Sequence, residues 1–453
     1  MDVLTCSPVE EFCNRFESLL AKDISTLGAF NEAVSVPDNS IITEPRSEDD
    51  LVDIIMFCQQ NSLTLSVYTT GHDFEGRSLS GDIVISTRYF SKIDFNKSTK
   101  ILSVGGGCCV YNINLTLKEH DVAISTGTNQ DVGIAGLTLG GGAAYTSRKH
   151  GLTCDSLCEL TMVTFSGEKL TLSHTSEPEF FDLIKGGGGG FFGVVTNMKF
   201  ITYPVYNVRL FSGAWAYKGD AELLAKLELL LINAPSYVSM RVGANITGVQ
   251  KKITITLSGQ VLDDSDFDIK AYFKDCLNEC DWTEKNCSYY EAMEGALHQT
   301  SGGAFRIKSR FCFKPMGVRG FDRIMKYLAG WQPTSNSDGA GFGLFAWGGK
   351  IAENKSLLSC SPGRNAKYLA SFDTSWQTEE GQKTAREQYQ WIYKLDDVIA
   401  PFLSQSAYIN FPDSDDAAFS ERHLKFIKNF HTIYRERYDP FCLSKQQSRV
   451  SNI

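Results

Sequence analysis

The chain has 453 residues, 42% hydrophobic and 21% charged, with 44 Lys and Arg against 53 Asp and Glu for a net charge of −9. That length allows two or three domains with sizeable cores, and the composition excludes a disordered or fibrous chain. No clustered basic run marks a nucleic-acid footprint, no apolar stretch reaches membrane-spanning length, and the acidic start MDVLTCSPVEEF lacks a signal-peptide core, so a cytoplasmic protein without nucleic-acid or membrane partners is expected.

Residues 7 to 20 read as an amphipathic helix, capped by Ser7 with Glu10 closing a capping box and Phe12, Phe16, Leu19 and Leu20 on one face. A second helix starts at the cap Ser47 and carries the stripe Leu51, Ile54, Ile55 and Cys58. A β-prone run ends at Tyr68 and passes into the polar loop TTGHDFEGRS, the opening of an α/β unit. Short strands follow around 83–86 and 101–104, and 160–164 with 169–172 form a hairpin about Ser166-Gly167. Beyond residue 205 glycine thins and alternating strands appear, as in KKITITLSGQV (251–261) and AFRIKSRFCF (304–313), with helical runs at 221–231 and 266–277. Alternation predicts a half-exposed antiparallel sheet with helices on one side. The expected division is 1–205, a substrate domain at 206–400, and a C-terminal segment, 401–453, returning to the first domain.

Glycine is unevenly spread: of 39 in the chain, 20 lie between Gly71 and Gly193. They gather in Thr69 to Gly76, Gly105 to Gly107, Gly127 to Gly142 and Gly186 to Gly193. Such loops let backbone N–H groups converge on an anion such as a pyrophosphate. None ends in GK[ST], and no G-x-G-x-x-G opens a long helix with an acidic residue twenty positions on, so neither a Walker loop nor a Rossmann site is indicated. The 13 cysteines are odd in number, and the set Cys276, Cys280 and Cys287 matches no common zinc spacing, so buried thiols and no metal site are expected.

In order along the chain stand PRSEDDL (45–51), GHDFEGRS (71–78), VGIAGLTLGGG (132–142), SRKHGLTCD (147–155), GGGGGFFGVVT (186–196), YINFPD (408–413) and YDPF…QQS (438–448). This series resembles the berberine-bridge-enzyme-like FAD-linked oxidases of the vanillyl-alcohol-oxidase, or PCMH-type, family. The resemblance spans nearly the whole chain. It implies an α+β fold: a PCMH-type FAD-binding domain of two α/β subdomains plus a substrate domain with an antiparallel sheet covered by helices.

The resemblance assigns His72 to a covalent bond with the flavin 8α carbon. Asn129 stands where many relatives carry a second, cysteinyl link, and an amide cannot form the thioether, so FAD held through His72 alone is expected. The pyrophosphate is expected along Thr69, Thr70, Gly71 and Asp73 and the Gly140, Gly141, Gly142 region. Gly133 and Gly136 belong to the same trough, and Gly193, Val194 and Val195 approach the cofactor by backbone. Val132 aligns beside flavin C4a, where a small residue accompanies ready reaction with oxygen. Tyr408 takes the place of the family's tyrosine base, Asn410 matches the same motif, and Tyr368 is a candidate catalytic partner. Arg306, Lys308 and Arg310 share one strand face; they either line the substrate site, lowering the tyrosine pKa, or form a solvated face.

The implied activity is an FAD-dependent oxidase: hydride passes from an alcohol, sugar or specialised metabolite to flavin N5, and oxygen reoxidises the flavin to give hydrogen peroxide. Alternatives are a dehydrogenase of the same fold using another acceptor, and a non-catalytic flavin-binding descendant. A monomer or homodimer fits equally.

Overall fold

The computed structural model describes residues 7–22, 28–34, 40–187, 190–249, 252–262, 266–296, 303–335, 338–354, 363–413 and 428–445. Gly188, Gly189, Lys251 and the QQS end of the last motif lie outside them.

Ser7 and Glu10 close their capping box on the first helix, which ends at Arg15 and passes into a 3-10 turn, Glu17–Leu19, rather than running on to Leu20. Ser47 caps Glu48–Asn61, whose Leu51, Ile54, Ile55 and Cys58 are buried. This helix covers a parallel three-stranded sheet in the order Ile41–Thr43, Ile83–Ser86, Leu65–Tyr68. A five-stranded antiparallel sheet follows, built from Ile93–Asn96, Ile101–Gly105, Gly193–Ile201, Leu157–Thr164 and Lys169–Ser173, the last two forming the expected hairpin. Helix Lys428–Tyr438 stacks Tyr434 and Tyr438 on Phe180 of helix Pro178–Gly187, and Leu65 N donates to Leu443 O, so the C-terminal segment lies on this half.

The second half is one seven-stranded antiparallel sheet in the order Asp281–Ser288, Asn207–Ala216, Thr254–Val261, Val238–Thr247, Gly339–Ala346, Tyr368–Trp376, Ala304–Cys312. Helices Glu222–Asn233, Gly317–Ala329 and Gly381–Ile399 cover one face through a core that includes Leu224, Leu231, Phe321, Met325, Ile392 and Leu395. The helical run expected at 266–277 is a short helix, Ile269–Phe273, with a 3-10 turn. The expectation of a half-exposed sheet is corrected: its central strands are buried on both faces, because the first half closes over the side the helices leave open.

Arg148 joins the halves. Its guanidinium, from the short helix Ser147–His150, donates to the carbonyls of Leu231, Ala234 and Pro235 at the end of helix Glu222–Asn233 and to Trp347 O at 2.7 Å. A buried cation is tolerable there because helix C-terminal carbonyls are unsatisfied and electronegative.

Candidate active site

Between the halves runs a cavity of about 580 Å³. Its first wall is the glycine-rich half. Asp73 accepts from Ser78 N (2.7 Å) and Glu75 N (3.2 Å), which fixes the loop after strand Leu65–Tyr68 and aims His72 at the cavity. The His72 ring stacks on Phe30 with centroids 4.2 Å apart. Burial pulls its pKa down to about 4, so the imidazole is neutral and nucleophilic near pH 7. Thr69, Thr70, Gly71, Asn129, Val132, Gly133, Gly136, Gly140, Gly193 and Val195 line the same cavity. Thr69 Oγ1 already accepts from Thr87 Oγ1 at 3.1 Å, and Asn129 Oδ1 accepts from Asp131 N at 2.9 Å. Ser78 lines the cavity too, with a buried Oγ that has no hydrogen-bond partner among the described residues.

Three residues assigned to the cofactor stand behind this wall. Val194 alternates away from Val195 into the core beneath helix Glu48–Asn61. Gly141 and Gly142 do not reach the cavity; Gly142 N points instead at the Tyr408 hydroxyl. The pyrophosphate expectation for that pair is therefore corrected, since one of the amides it needs is already used.

Tyr408 lies at the seam. Its ring packs among Leu152, Phe311, Trp347 and Leu369, and the residue is 3% exposed, with its exposed edge toward the cavity. Burial pushes the phenol up to about 12, against hydrogen bonds from Asn410, Ala143 N and Gly142 N that favour the charged form. Tyr368 faces the other way. Its neighbours Leu369, Ser371 and Asp373 line the cavity, whereas its own hydroxyl donates to Glu228 in the helix-side core, and its pKa is pushed far up. Strand alternation thus removes it as a partner for Tyr408.

The cationic stripe is also corrected. Arg306, Lys308 and Arg310 are only 4, 2 and 5% exposed, which rules out a solvated face, and they point to the helix side of the sheet. Arg306 pairs with Glu75 at 2.8 Å; Lys308 and Arg310 each pair with Asp396 (2.8 Å) and Asp413 (3.2 and 3.3 Å). Six charges sum to zero, and Asp413 is held below the usual carboxylate range by Lys308 and Arg310, despite burial. The network anchors the segment carrying Tyr408 rather than charging the cavity.

Sequence reasoning missed the polar wall opposite. Ser239 and Arg241 on one strand, and Ser371 and Asp373 on another, face the cavity with Phe345, Trp347 and Tyr145. The Arg241 guanidinium lies 4.7 Å from the Phe345 ring centroid. Burial raises the Asp373 carboxyl, and Arg241 counters it. The signal was period-two alternation, usable only once one facing residue is known.

A glycine-lined trough with unencumbered backbone, an orphaned serine hydroxyl and a neutral histidine fits a large dinucleotide. The fold and site define an FAD-linked oxidoreductase. The FAD binding domain model matches residues 40–173. An uncharacterised FAD-linked oxidoreductase of Bacillus subtilis is 26% identical over 386 residues, 82% of each chain. Reticuline oxidase of Eschscholzia californica is 23% identical over 93% of this chain and 81% of its own. Among solved structures, glucooligosaccharide oxidase of Acremonium strictum, described with a 6-S-cysteinyl, 8α-N1-histidyl FAD, superposes with a TM-score of 0.84 at 18% identity, covering 97% of this chain and 98% of that one. Across most of its length the chain is similar to the berberine-bridge-enzyme-like FAD-linked oxidoreductases, whose PCMH-type fold it shares.

Proposed function

We propose that the protein is an FAD-dependent oxidase of a hydroxylated small molecule, a sugar, alcohol or specialised metabolite, with oxygen reduced to hydrogen peroxide. The observation that carries this reading is one cavity that has His72 on its cofactor wall, Tyr408 at the seam and the Ser239, Arg241, Ser371, Asp373 patch opposite. Thr69 to Asp73, Ser78, Gly133, Gly136 and the Gly190 to Val195 backbone would hold FAD, with His72 as the single covalent attachment. When bound, FAD supplies a two-electron acceptor for the hydride of the substrate carbon.

The polar patch binds substrate hydroxyls: Asp373 accepts from them, and Arg241 and the serines donate or exchange hydrogen bonds. Phe345, Trp347 and Phe411 cover the apolar face of the ligand and exclude water. Tyr408, as phenolate, takes the proton of the reacting hydroxyl at its Oη while the carbon gives up its hydride. The preceding residues supply orientation; Tyr408 supplies the base. Val132, small and on the cavity wall, supports oxygen as the final acceptor.

The test is a flavin spectrum of purified protein followed by a screen of sugars, alcohols and metabolite extracts for peroxide release. Tyr408→Phe is expected to retain flavin and slow anaerobic flavin reduction by about 10²-fold or more. Flavin reduction without peroxide would favour the dehydrogenase reading, and a colourless protein would overturn both.

A further inference from the structure

We propose that Tyr408 works as a phenolate held by a ring of neutral N–H donors, with Asn410 as the positioning residue that completes the ring. The inference rests on the reading of Tyr408 as the base and explains how a buried phenol can serve in that role without a cation.

Three donors converge on one oxygen. Gly142 N lies 2.9 Å from Tyr408 Oη, Ala143 N 3.0 Å and Asn410 Nδ2 3.3 Å. The two amides point there because Gly141 and Gly142 both have positive φ, +104° and +82°, a backbone course that consecutive L side chains do not adopt. Asn410 Nδ2 also donates to Leu137 O at 3.1 Å, and its amide packs against Gly140, where any Cβ would collide with it. The glycine triplet 140–142 is therefore shaped around the Tyr408–Asn410 pair.

A neutral phenol has one good lone pair and a second weakened by conjugation, whereas a phenolate accepts three donors readily. Among the described residues the Tyr408 hydroxyl oxygen accepts from all three of these groups and donates to none of them. The site is thus complementary to the deprotonated oxygen, as an oxyanion hole is to developing charge.

Among the described residues no cation shares the task. Arg306, Lys308 and Arg310 are spent on Glu75, Asp396 and Asp413 on the helix side. From the turn Thr153–Ser156, Cys154 faces the ring as a thiol that burial keeps neutral. Arg241 and Asp373 line the cavity from the sheet, and His72, Asp73 and Arg77 line it from the 69–78 loop. Leu152, Phe311, Trp347, Leu369 and Phe411 close the remaining sides without charge.

The test replaces Tyr408 with a fluorinated tyrosine, whose phenol ionises in an accessible pH range, and follows its ionisation by ¹⁹F NMR in the flavin-loaded protein. Asn410→Ala is expected to make the ionisation constant about tenfold smaller, a rise of about one pH unit. The isosteric Asn410→Asp, which substitutes an acceptor for the donor, should raise it further and carries the measurement where the alanine variant does not fold. An unchanged midpoint in a folded, flavin-retaining variant overturns the proposal. That outcome is separate from failure of the base assignment, which shows as unaltered anaerobic flavin reduction in Tyr408→Phe.

Discussion

The guanidinium of Arg241 lies across Gly343 of the adjoining strand, so close that a Cβ on that glycine would stand 2.5 Å from Nε. Gly343 thus acts as a seat: it lets the fork lie flat against the sheet, over Phe345 and toward Asp373, with donors left for the cavity. Gly343→Ala should lift the fork from its seat. With a substrate found by the peroxide screen, KM is expected to rise about 10-fold while kcat stays within about 2-fold. Arg241→Lys should also raise KM, because an ammonium lacks the planar fork. Equal losses in kcat would show that Arg241 acts on the reacting centre instead.

The proposed attachment of flavin through His72 alone makes a chemical prediction. Acid-precipitated protein should stay yellow, and proteolysis should release one flavin peptide, containing His72. His72→Ala should release its flavin on precipitation, and mass spectrometry of wild-type digests should find no cysteinyl adduct. Asn129 lines the cavity and its amide cannot form a thioether, so recovery of a cysteine-linked flavin peptide would contradict the proposal.

His150 sets a pH dependence. Its ring is stacked 3.6 Å from Tyr203, Nε2 lies 3.2 Å from the Tyr206 hydroxyl, and burial lowers its pKa to about 4, with Lys149 adding to the effect. An unfolded histidine titrates near 6.5, so between about 6.5 and 4 the unfolded chain binds the extra proton and the folded one does not. Stability attributable to His150 is therefore full above about pH 6.5 and falls as pH drops toward 4. Thermal midpoints of His150→Phe should decline less steeply over that window than those of the wild type. Parallel curves would refute the assignment.

Asp413→Asn should be costly. It leaves Lys308 and Arg310 sharing Asp396 alone, with one buried positive charge in excess. Loss of one partner from a buried network typically costs about 3–5 kcal/mol. A large drop in thermal midpoint, accompanied by loosened packing of the Tyr408 segment, is the expected result. A change under about 1 kcal/mol would show that the network relaxes without strain.

The cofactor half of the site was legible because backbone geometry dictates residue type there. Gly71 has a left-handed φ of +75° and His72 follows it into the cavity, and both announce themselves in the motif. The substrate half was not, because which alternating residues face the ligand depends on strand parity. One position separates Tyr368, buried against Glu228, from Leu369 on the cavity wall. Arg306, Lys308 and Arg310 were misread for a different reason. Their partners, Glu75, Asp396 and Asp413, come from three distant segments that only the fold assembles. The nest at Tyr408 is intermediate: its glycines were visible, but their target was taken for phosphate.

Arg148 bears on how this architecture can diversify. One side chain from the cofactor half fills carbonyls on two separate elements of the substrate half, at Ala234 and at Trp347, the latter itself a cavity residue. Removing the sheet would strand a buried guanidinium, and swapping it for another would need the same acceptors in the same places. New specificities are therefore more accessible by changing side chains within the existing wall than by exchanging the wall as a module.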